Sequence, residues 1–320
     1  MIRQLRSEGT GIVLISHKMR EIREIADRVT VLRAGKIVLS DVPTGSLTDA
    51  ELVTAMVGET VAIARNTGAA VATDRAAAMA LDGVSLAGAG EGGGLRDATL
   101  HVYPGEILGV AGVSGNGQRE LADLLVGASR PDRGTIAIGG QVREDPTPAA
   151  FHAAGVASVP ADPLREFVVP GLTIAEHASL WHHTKTGARF DSRSAAKSIE
   201  QTGKRLGLSL AHPSRQLDQL SGGNIQRVLL ALALGQDVNV LVVSYPTRGL
   251  DVLTTETTRQ LLIKARDAGT AVVLISEDLD EILRLSDRIA VLSHGRVSAV
   301  VPGAGADRQS LGHLMTAHAA

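Results

Sequence analysis

The sequence predicts an α/β fold built on a mainly parallel sheet. The stretch Val238–Ser244 (VNVLVVS) is a continuous apolar run, typical of a strand that is buried on both faces of a parallel sheet. A predicted helix at about Thr254–Asp267 and a second apolar strand, Ala271–Ser276, follow it, and this alternation favours parallel pairing. A glycine-rich loop also joins the predicted strand Ile107–Ala111 to the predicted helix Gln118–Val126.

The composition is that of an ordinary globular protein with a large core. Of the 320 residues, 44% are hydrophobic and 21% are charged. A net charge of −2 and an aromatic content of 2% argue against nucleic acid as a partner. Because the chain has no Cys, disulfides and thiolate metal sites are excluded.

The apolar runs are short. The N-terminal stretch MIRQLRSEGTG lacks the apolar core of a signal peptide, and runs such as VLLALAL fall far below the ~20 residues of a membrane helix. We therefore expect no direct membrane insertion, and we expect any membrane association to depend on a partner protein.

An internal repeat divides the chain. The segment Arg6–Ile37 returns 260 residues later as Arg266–Val297, with 14 of 32 positions identical and no gap. A repeat at this distance suggests two copies of one domain. The first copy lacks a nucleotide loop before it, so we interpret residues 1–60 as the end of a first domain. The alternative is that the N-terminal strands join the sheet of the other domain.

The first copy predicts its own local structure. We expect a strand at Gly11–Ser16, a charged amphipathic helix from about His17 to Asp27, and a strand at Val29–Leu32. The last strand turns at Ala34-Gly35 into a third.

Residues 162–219 are mixed polar in character and predict helices. One stretch carries several imidazole and indole side chains, namely His177, Trp181, His182 and His183. A metal site is one interpretation, but the spacing fits no dependable ligand pair, so a solvated helix face is favoured.

The loop from Gly112 to Arg119 (GVSGNGQR) stands after a strand and before a helix. That is the context of the phosphate-binding P-loop, G-x-x-x-x-G-K-[ST], whose glycines let backbone N–H groups approach phosphate oxygens. A dinucleotide fingerprint fails, because Glu120 stands where a third glycine is needed. The predicted nucleotide-binding residues are Gly112, Val113, Ser114, Gly115, Asn116, Gly117, Gln118 and Arg119.

Two positions of this loop lack the usual chemistry. Gln118 replaces the lysine and carries no charge for the β- and γ-phosphates. Arg119 replaces the Ser/Thr, so it cannot coordinate Mg²⁺ and would repel the metal.

The stretch Leu220–Leu234 (LSGGNIQRVLLALAL) begins with a hydroxyl and two glycines and continues as an apolar helix. Such a start presents backbone N–H groups and the positive end of the helix dipole to an anion. The residues concerned are Leu220, Ser221, Gly222, Gly223, Asn224 and Gln226.

LSGGNIQ resembles the signature sequence of ATP-binding cassette (ABC) ATPases, which reaches across a dimer interface to the terminal phosphate of ATP held by the partner. With GVSGNGQREL, YPTRGLDV and LISEDLDEI, the span from about Leu81 to Val300 resembles the second cassette of the tandem ATPase subunits of simple-sugar and nucleoside ABC importers. This resemblance implies an α/β fold of the P-loop NTPase (ABC cassette) class, with an antiparallel β subdomain and a helical subdomain.

The resemblance also implies roles for residues that this chain has replaced. Ser244 and Tyr245 stand where the family has the metal-binding Asp and the water-activating Glu; serine is a weak metal ligand, and a phenol of pKa ~10 is a poor base. Glu277 replaces the switch histidine and would repel the γ-phosphate. Ala161 follows Val159-Pro160, where the family has Gln or Glu. No intact catalytic set is expected, the degenerate positions being Gln118, Arg119, Ala161, Ser244, Tyr245 and Glu277.

Family members of this kind pair a competent first cassette with a degenerate second one, which lends its signature in trans. Gly249, Leu250 and Asp251 resemble the loop that spans the dimer interface, and His17 resembles the switch histidine of a first cassette. The expected cofactor is ATP, with Mg²⁺ only in a composite site that a competent partner cassette completes.

The resemblance predicts residues 1–60 as the C-terminal remnant of a first cassette, 61–80 as a linker, 81–305 as the degenerate second cassette and 306–320 as a tail. The expected partners are membrane permease subunits, a second ABC cassette chain and, indirectly, a solute-binding protein, at the cytoplasmic face of the cell membrane. The region near Asp162–Glu176 is expected to contact the permease.

Several alternatives stay open at this point. One is a non-catalytic dimerisation or regulatory module, and another is a decayed fragment without a transport role. A ribosome-associated ABC protein is disfavoured, because the chain shows neither two competent cassettes nor a basic linker. A split gene, a misplaced start and decay would all explain a partial first cassette.

Overall fold

The computed structural model describes residues 2–16, 19–33, 35–58, 64, 66, 71–88, 93–186 and 191–316. The chain divides into two compact units. The first comprises residues 1–63 with 249–257, and the second comprises residues 64–248 with 258–320.

The first unit packs α-helices against a β-hairpin. Its core contains Ile22, Val31 and Leu52. The last helix begins with a capping box, in which Thr48 and Glu51 bond reciprocally across the first turn. The elements at the start of the chain are α1 (Ile2–Ser7), α2 (Met19–Ile25), β1 (Arg28–Arg33), β2 (Lys36–Pro43) and α3 (Asp49–Val57).

Residues 11–16 do not form the strand that the sequence predicts, and that prediction is wrong. Val13 is 91% exposed and Ile15 is 97% exposed. A strand needs neighbours to satisfy its backbone groups, and in the described part of the first unit no strand pairs with this segment. The β1–β2 hairpin, which is confirmed, forms a two-stranded antiparallel sheet of its own. The alternative in which the N-terminal strands join the other sheet is therefore also wrong.

The remaining elements follow the predicted alternation of strands and helices. In chain order they are β3 (Met79–Ala87), β4 (Gly94–Val102), β5 (Ile107–Gly112), α4 (Gln118–Leu125), β6 (Arg133–Ile138), β7 (Gln141–Val142), α5 (Pro148–Ala153), β8 (Val156–Val159), α6 (Pro163–Glu166), α7 (Ile174–Thr186), α8 (Ser192–Leu206), α9 (Gly222–Ala233), β9 (Val240–Ser244), α10 (Val252–Asp267), β10 (Ala271–Ile275), α11 (Leu279–Leu285), β11 (Arg288–Ser293), β12 (Arg296–Pro302) and α12 (Arg308–Thr316).

Two sheets organise the second unit. The larger sheet has the order β12-β11-β5-β10-β9-β8. Neighbouring strands in it are parallel, except that β11 and β12 are antiparallel. The smaller sheet, β4-β3-β6-β7, is antiparallel throughout. Helices α7 and α8 form the helical part between β8 and the signature segment. The predicted α/β fold with antiparallel and helical subdomains is confirmed.

The central strands β5, β9 and β10 of the large sheet are buried on both faces. Along β9, Leu241 and Val243 belong to the helix-covered core, whereas Val240 and Val242 belong to the core shared with the antiparallel sheet. This alternation explains why the strand is apolar at every position. The final segment contributes too, because α12 buries Leu311 in the helix-covered core.

The two repeat copies share a helix and a strand, although residues 11–16 lack the strand that residues 271–275 form. With the offset of 260 residues, α2 coincides with α11 and β1 coincides with β11. The hydroxyl of Ser16 donates to Glu21 at 2.5 Å, and the hydroxyl of Ser276 donates to Glu281 at 2.9 Å. The two copies therefore share a specific serine–glutamate hydrogen bond as well as sequence.

In the predicted linker, 61–80, residues 61–63, 65 and 67–70 lie outside the described residues, and β3 already begins at Met79. Ala64 and Asn66 lie in the second unit, where Asn66 donates to Asp287 at 2.7 Å and to the carbonyl of Leu285 at 2.9 Å. Among the described helices, none is long and apolar enough to cross a membrane.

Candidate nucleotide site and signature helix

The carboxyl ends of four adjacent parallel strands bring most of the predicted site residues to one edge of the large sheet. Ile275 of β10 pairs with Val110 of β5 on one side and with Ser244 of β9 on the other. Ligands of open parallel α/β sheets bind at this edge. The P-loop follows β5, Tyr245 follows β9, Glu277 follows β10 and Ala161 follows β8.

The loop after β5 has the backbone of a phosphate-binding turn. Gly115 and Gly117 have φ values of +89° and +99°, a region that glycine adopts without strain. A β-carbon on Gly117 would also lie 2.7 Å from the carbonyl oxygen of Gly94, so this position excludes any side chain. Gly117 is the N-cap of α4, which starts at Gln118.

Gln118 lies inside this loop. Its side-chain Nε2 donates to the carbonyl of Val113 at 2.9 Å, and its Oε1 accepts the N–H of Asn116 at 3.1 Å. The residue is only 5% exposed. The amide of Gln118 therefore lies against the backbone of the loop and bonds it at two points.

Arg119 does not take the place of the P-loop lysine. It is exposed, and its charge acts on Asp123 one turn further along α4, where burial raises the pKa of the carboxyl and Arg119 lowers it.

Beside the loop, Ser244 is buried at the end of β9, and Tyr245 has a left-handed backbone with φ of +50°. Burial and the neighbouring Glu277 carboxylate raise the pKa of the Tyr245 phenol, whereas Arg248 lowers it. A neutral phenol accepts no proton at neutral pH, so Tyr245 does not serve as a general base. Ala161 is exposed and has no polar side-chain atom.

The residues at this edge therefore do not fit a bound Mg²⁺–nucleotide. The glycine backbone suits phosphate, but Gln118 and Arg119 supply neither a lysine nor a metal-binding hydroxyl, and Ser244 and Tyr245 supply no carboxylate. Within the described residues, no cluster of His, Cys, Asp or Glu could hold a metal ion.

One buried network at this edge was missed from the sequence. Glu281 accepts hydrogen bonds from Thr247 at 2.7 Å and from Ser276 at 2.9 Å, and Arg259 lies 3.3 Å from it. Glu281 is 1% exposed. The Ser-x-x-x-x-Glu spacing that recurs in both repeat copies was the signal that could have found it.

The signature residues form the start of α9. Ser221 is the N-cap, and its side chain makes no cap bond to the first turn; its hydroxyl accepts from Asn224 Nδ2 at 3.0 Å. Ser221 and Gly222 are exposed, whereas Gln226 is buried. The N–H groups of Asn224 and Ile225 bond the carbonyl of Ser221, and the exposed glycine at the start of the helix leaves its backbone accessible, as anion binding requires.

In the predicted interface loop, Leu250 is buried and Asp251 caps α10 by accepting from the N–H and hydroxyl of Thr254 at 2.9 and 2.8 Å. His17, the predicted switch histidine, lies outside the described residues.

His177 is neither a metal ligand nor part of a solvated face. It is 3% exposed, its Nε2 accepts the N–H of Val169 at 3.0 Å, and its Nδ1 bonds the carbonyl of Thr173 at 2.8 Å. Phe167 stacks on its ring with centroids 6.0 Å apart. The solvated-face interpretation was wrong here because α7 packs this side inward.

The comparisons with known proteins agree with this architecture. Residues 95–248 match the family model described as "ABC transporter". A solved dimeric bacterial ABC transporter cassette superposes with a TM-score of 0.62 at 24% identity, over 71% of this chain and 100% of its own. Residues 95–248 therefore have the fold of an ABC ATPase cassette.

The names of several relatives describe them as import ATP-binding proteins. A nucleoside import ATP-binding protein of Lactococcus lactis is 34% identical over 98% of this chain and 62% of its own length. A ribose import ATP-binding protein of Streptomyces avermitilis is 33% identical over 98% of this chain and 58% of its own length. The chain thus spans about three fifths of the length of these curated relatives.

Proposed function

We propose that this chain is an ATP-binding component of an ABC importer for a sugar- or nucleoside-like solute. In this proposal its cassette supplies the signature helix to an ATP that a competent cassette holds. The solute class follows the names of the import relatives.

The observation that carries the proposal is the contrast between two parts of one cassette. The start of α9 is exposed and has no side-chain cap, so its N–H groups can meet a phosphate. The positions that would serve a nucleotide in its own P-loop lack a lysine, a metal ligand and a base. A cassette of this kind can donate its signature but has no means to hydrolyse.

An exposed segment of the first unit is an argument that a second cassette is a partner. Ile15 is 97% exposed, whereas its repeat equivalent Ile275 is 1% exposed between β5 and β9. We propose that residues 11–16 become a strand when a competent cassette places its own P-loop strand and catalytic strand beside them. Residues 1–60 would then be the end of that cassette, and His17 would be its switch histidine.

An apolar groove supports a permease as partner. It has a volume of about 470 Å³, and its lining includes Val126, Pro148, His152, Phe167, Leu180 and Trp181. The groove extends from the segment near Asp162–Glu176 to α5, and its apolar lining suits the apolar face of an amphipathic helix. We propose that a cytoplasmic helix of the permease binds here, which would place the chain at the inner face of the membrane.

The experiment is transport by the assembled complex with its competent cassette. Ser221→Arg puts bulk and charge at the start of α9 and is expected to reduce transport to background without loss of assembly. Ser194→Arg, an exposed serine on α8, is the matched control and is expected to transport normally.

Two results would contradict the proposal. One is normal transport by Ser221→Arg. The other is robust Mg²⁺-dependent ATP hydrolysis by the purified chain alone that a Gln118 substitution abolishes. Failure to co-purify with any permease would instead favour a regulatory module.

A further inference from the structure

One side chain, that of Gln118, bridges two backbone groups of the P-loop of this cassette. Gln118 Nε2 donates to the carbonyl of Val113, and Gln118 Oε1 accepts the N–H of Asn116, at 2.9 and 3.1 Å. A loop of this kind binds phosphate through its inward backbone N–H groups. One of these groups, the N–H of Asn116, is therefore already taken up within the loop, shared between the carboxamide oxygen of Gln118 and the carbonyl of Val113 at 3.2 Å.

We propose that Gln118 is an internal occupant of the phosphate cradle and excludes nucleotide di- and triphosphates from it. This inference rests on the P-loop fold and does not depend on the transport role. In this proposal Gln118 competes with phosphate for the loop and does not bind it.

The chemistry of the amide explains why glutamine can do this. A lysine ammonium has three donors and no acceptor, so it can bond loop carbonyls but leaves the N–H groups free. A carboxamide has both a donor and an acceptor, so it can bond a carbonyl and an N–H of the same loop at once. Gln118 does both across Val113 and Asn116.

The surroundings hold this arrangement in place. Gln118 is 5% exposed, and a β-carbon on Gly112 would lie 2.6 Å from its Nε2, so glycine at 112 makes the space for the amide. Asn116 is held from the other side, since its Oδ1 accepts the N–H of His294 at 3.2 Å. A phosphate would have to break both Gln118 bonds and move a buried side chain to enter.

The test is binding of Mg–ADP and Mg–ATP to the full chain by calorimetry. Gln118→Ala removes the occupant and is expected to bind at least about tenfold more tightly than the unmodified protein, the effect of one released hydrogen bond. Gln201→Ala, an exposed glutamine on α8, is the control and should bind as the unmodified protein does. If Gln118 were a phosphate ligand, its removal would weaken binding, so weaker or unchanged binding by Gln118→Ala overturns the proposal.

A measurement on the unmodified protein does not depend on how the variant folds. Amide hydrogen exchange in residues 112–118 is expected to be slow without nucleotide and unchanged at millimolar Mg–ADP. Protection of this loop that appears only on adding Mg–ADP would show an open cradle and would also overturn the proposal.

Discussion

The phenol of Tyr245 and the carboxylate of Glu277 are neighbours at the carboxyl ends of β9 and β10. Burial, followed by the negative charge of Glu277 and a hydrogen bond to it, raises the pKa of Tyr245 above its ordinary value of 10.0. The guanidinium of Arg248, 5.9 Å from the ring centroid, lowers it. The pair therefore places a neutral phenol beside the negative charge of Glu277.

Glu277→Gln is expected to lower the pKa of Tyr245, because it removes a negative charge that disfavours the phenolate. The chain has two tyrosines, so ultraviolet absorbance titration in a Tyr103→Phe background reports Tyr245 alone. Arg248→Gln should shift the pKa upward. Glu200→Gln, on the exposed face of α8, should leave it unchanged. An unaltered titration in Glu277→Gln would mean that the two groups do not interact.

Glu281→Ala is expected to cost about 3 kcal/mol of the free energy of unfolding. Its carboxylate is buried and bonds Thr247, Ser276 and Arg259, so truncation removes three polar contacts of one buried charge at once. The measurement is the urea midpoint, with the exposed Glu200→Ala as control, expected within about 0.5 kcal/mol of the unmodified protein. A loss no larger than that of the control would show that the network contributes little.

Glu106 is expected to make stability depend on pH. Burial raises the pKa of this carboxyl from 4.5 to about 7, against the opposing effects of the Tyr103 N–H and Arg288. A raised pKa means that the folded state binds the proton more tightly, so this contribution is complete below pH 4.5 and is lost as pH rises towards 7. Its full size is roughly 3 kcal/mol, at about 1.4 kcal/mol per pKa unit.

Comparison with Glu106→Gln isolates that contribution, because the amide is of similar size and does not titrate. The stability of the unmodified protein relative to this variant should fall from pH 4.5 to about 7. Urea unfolding at several pH values measures it. A difference that is constant with pH, or that grows in favour of the unmodified protein, would contradict the expected titration.

Local patterns predicted much of this fold, and non-local interactions account for what they missed. The strands β5, β9 and β10 were found within two residues because each is continuously apolar, buried on both faces and bounded by turn signals. Residues 11–16 carry the same pattern but do not form a strand, since pairing depends on neighbours that a local pattern does not reveal.

The same limit applies to side chains in the candidate site. The sequence showed that Gln118 replaces a lysine, but not that its amide turns back onto Val113 and Asn116. That orientation depends on the space left by Gly112 and on the loop backbone. Likewise, a periodic pattern marks His177 and Glu281 only as polar residues of helices, and their burial depends on what packs against them.

The repeat supplies a matched test of why residues 11–16 are not a strand. Ile15 and Ile275 are equivalent positions with the same local sequence, LIS, but Ile15 is 97% exposed and Ile275 is 1% exposed. Ile275→Asn buries an unsatisfied amide between β5 and β9 and is expected to cost about 3 kcal/mol or more of the free energy of unfolding. Ile15→Asn places the same amide in water and is expected to change stability by less than about 0.5 kcal/mol. Urea unfolding of the two variants measures both effects. Equal destabilisation would show that residues 11–16 are already buried in the chain as it stands, and would remove the argument that they await the strands of a competent cassette.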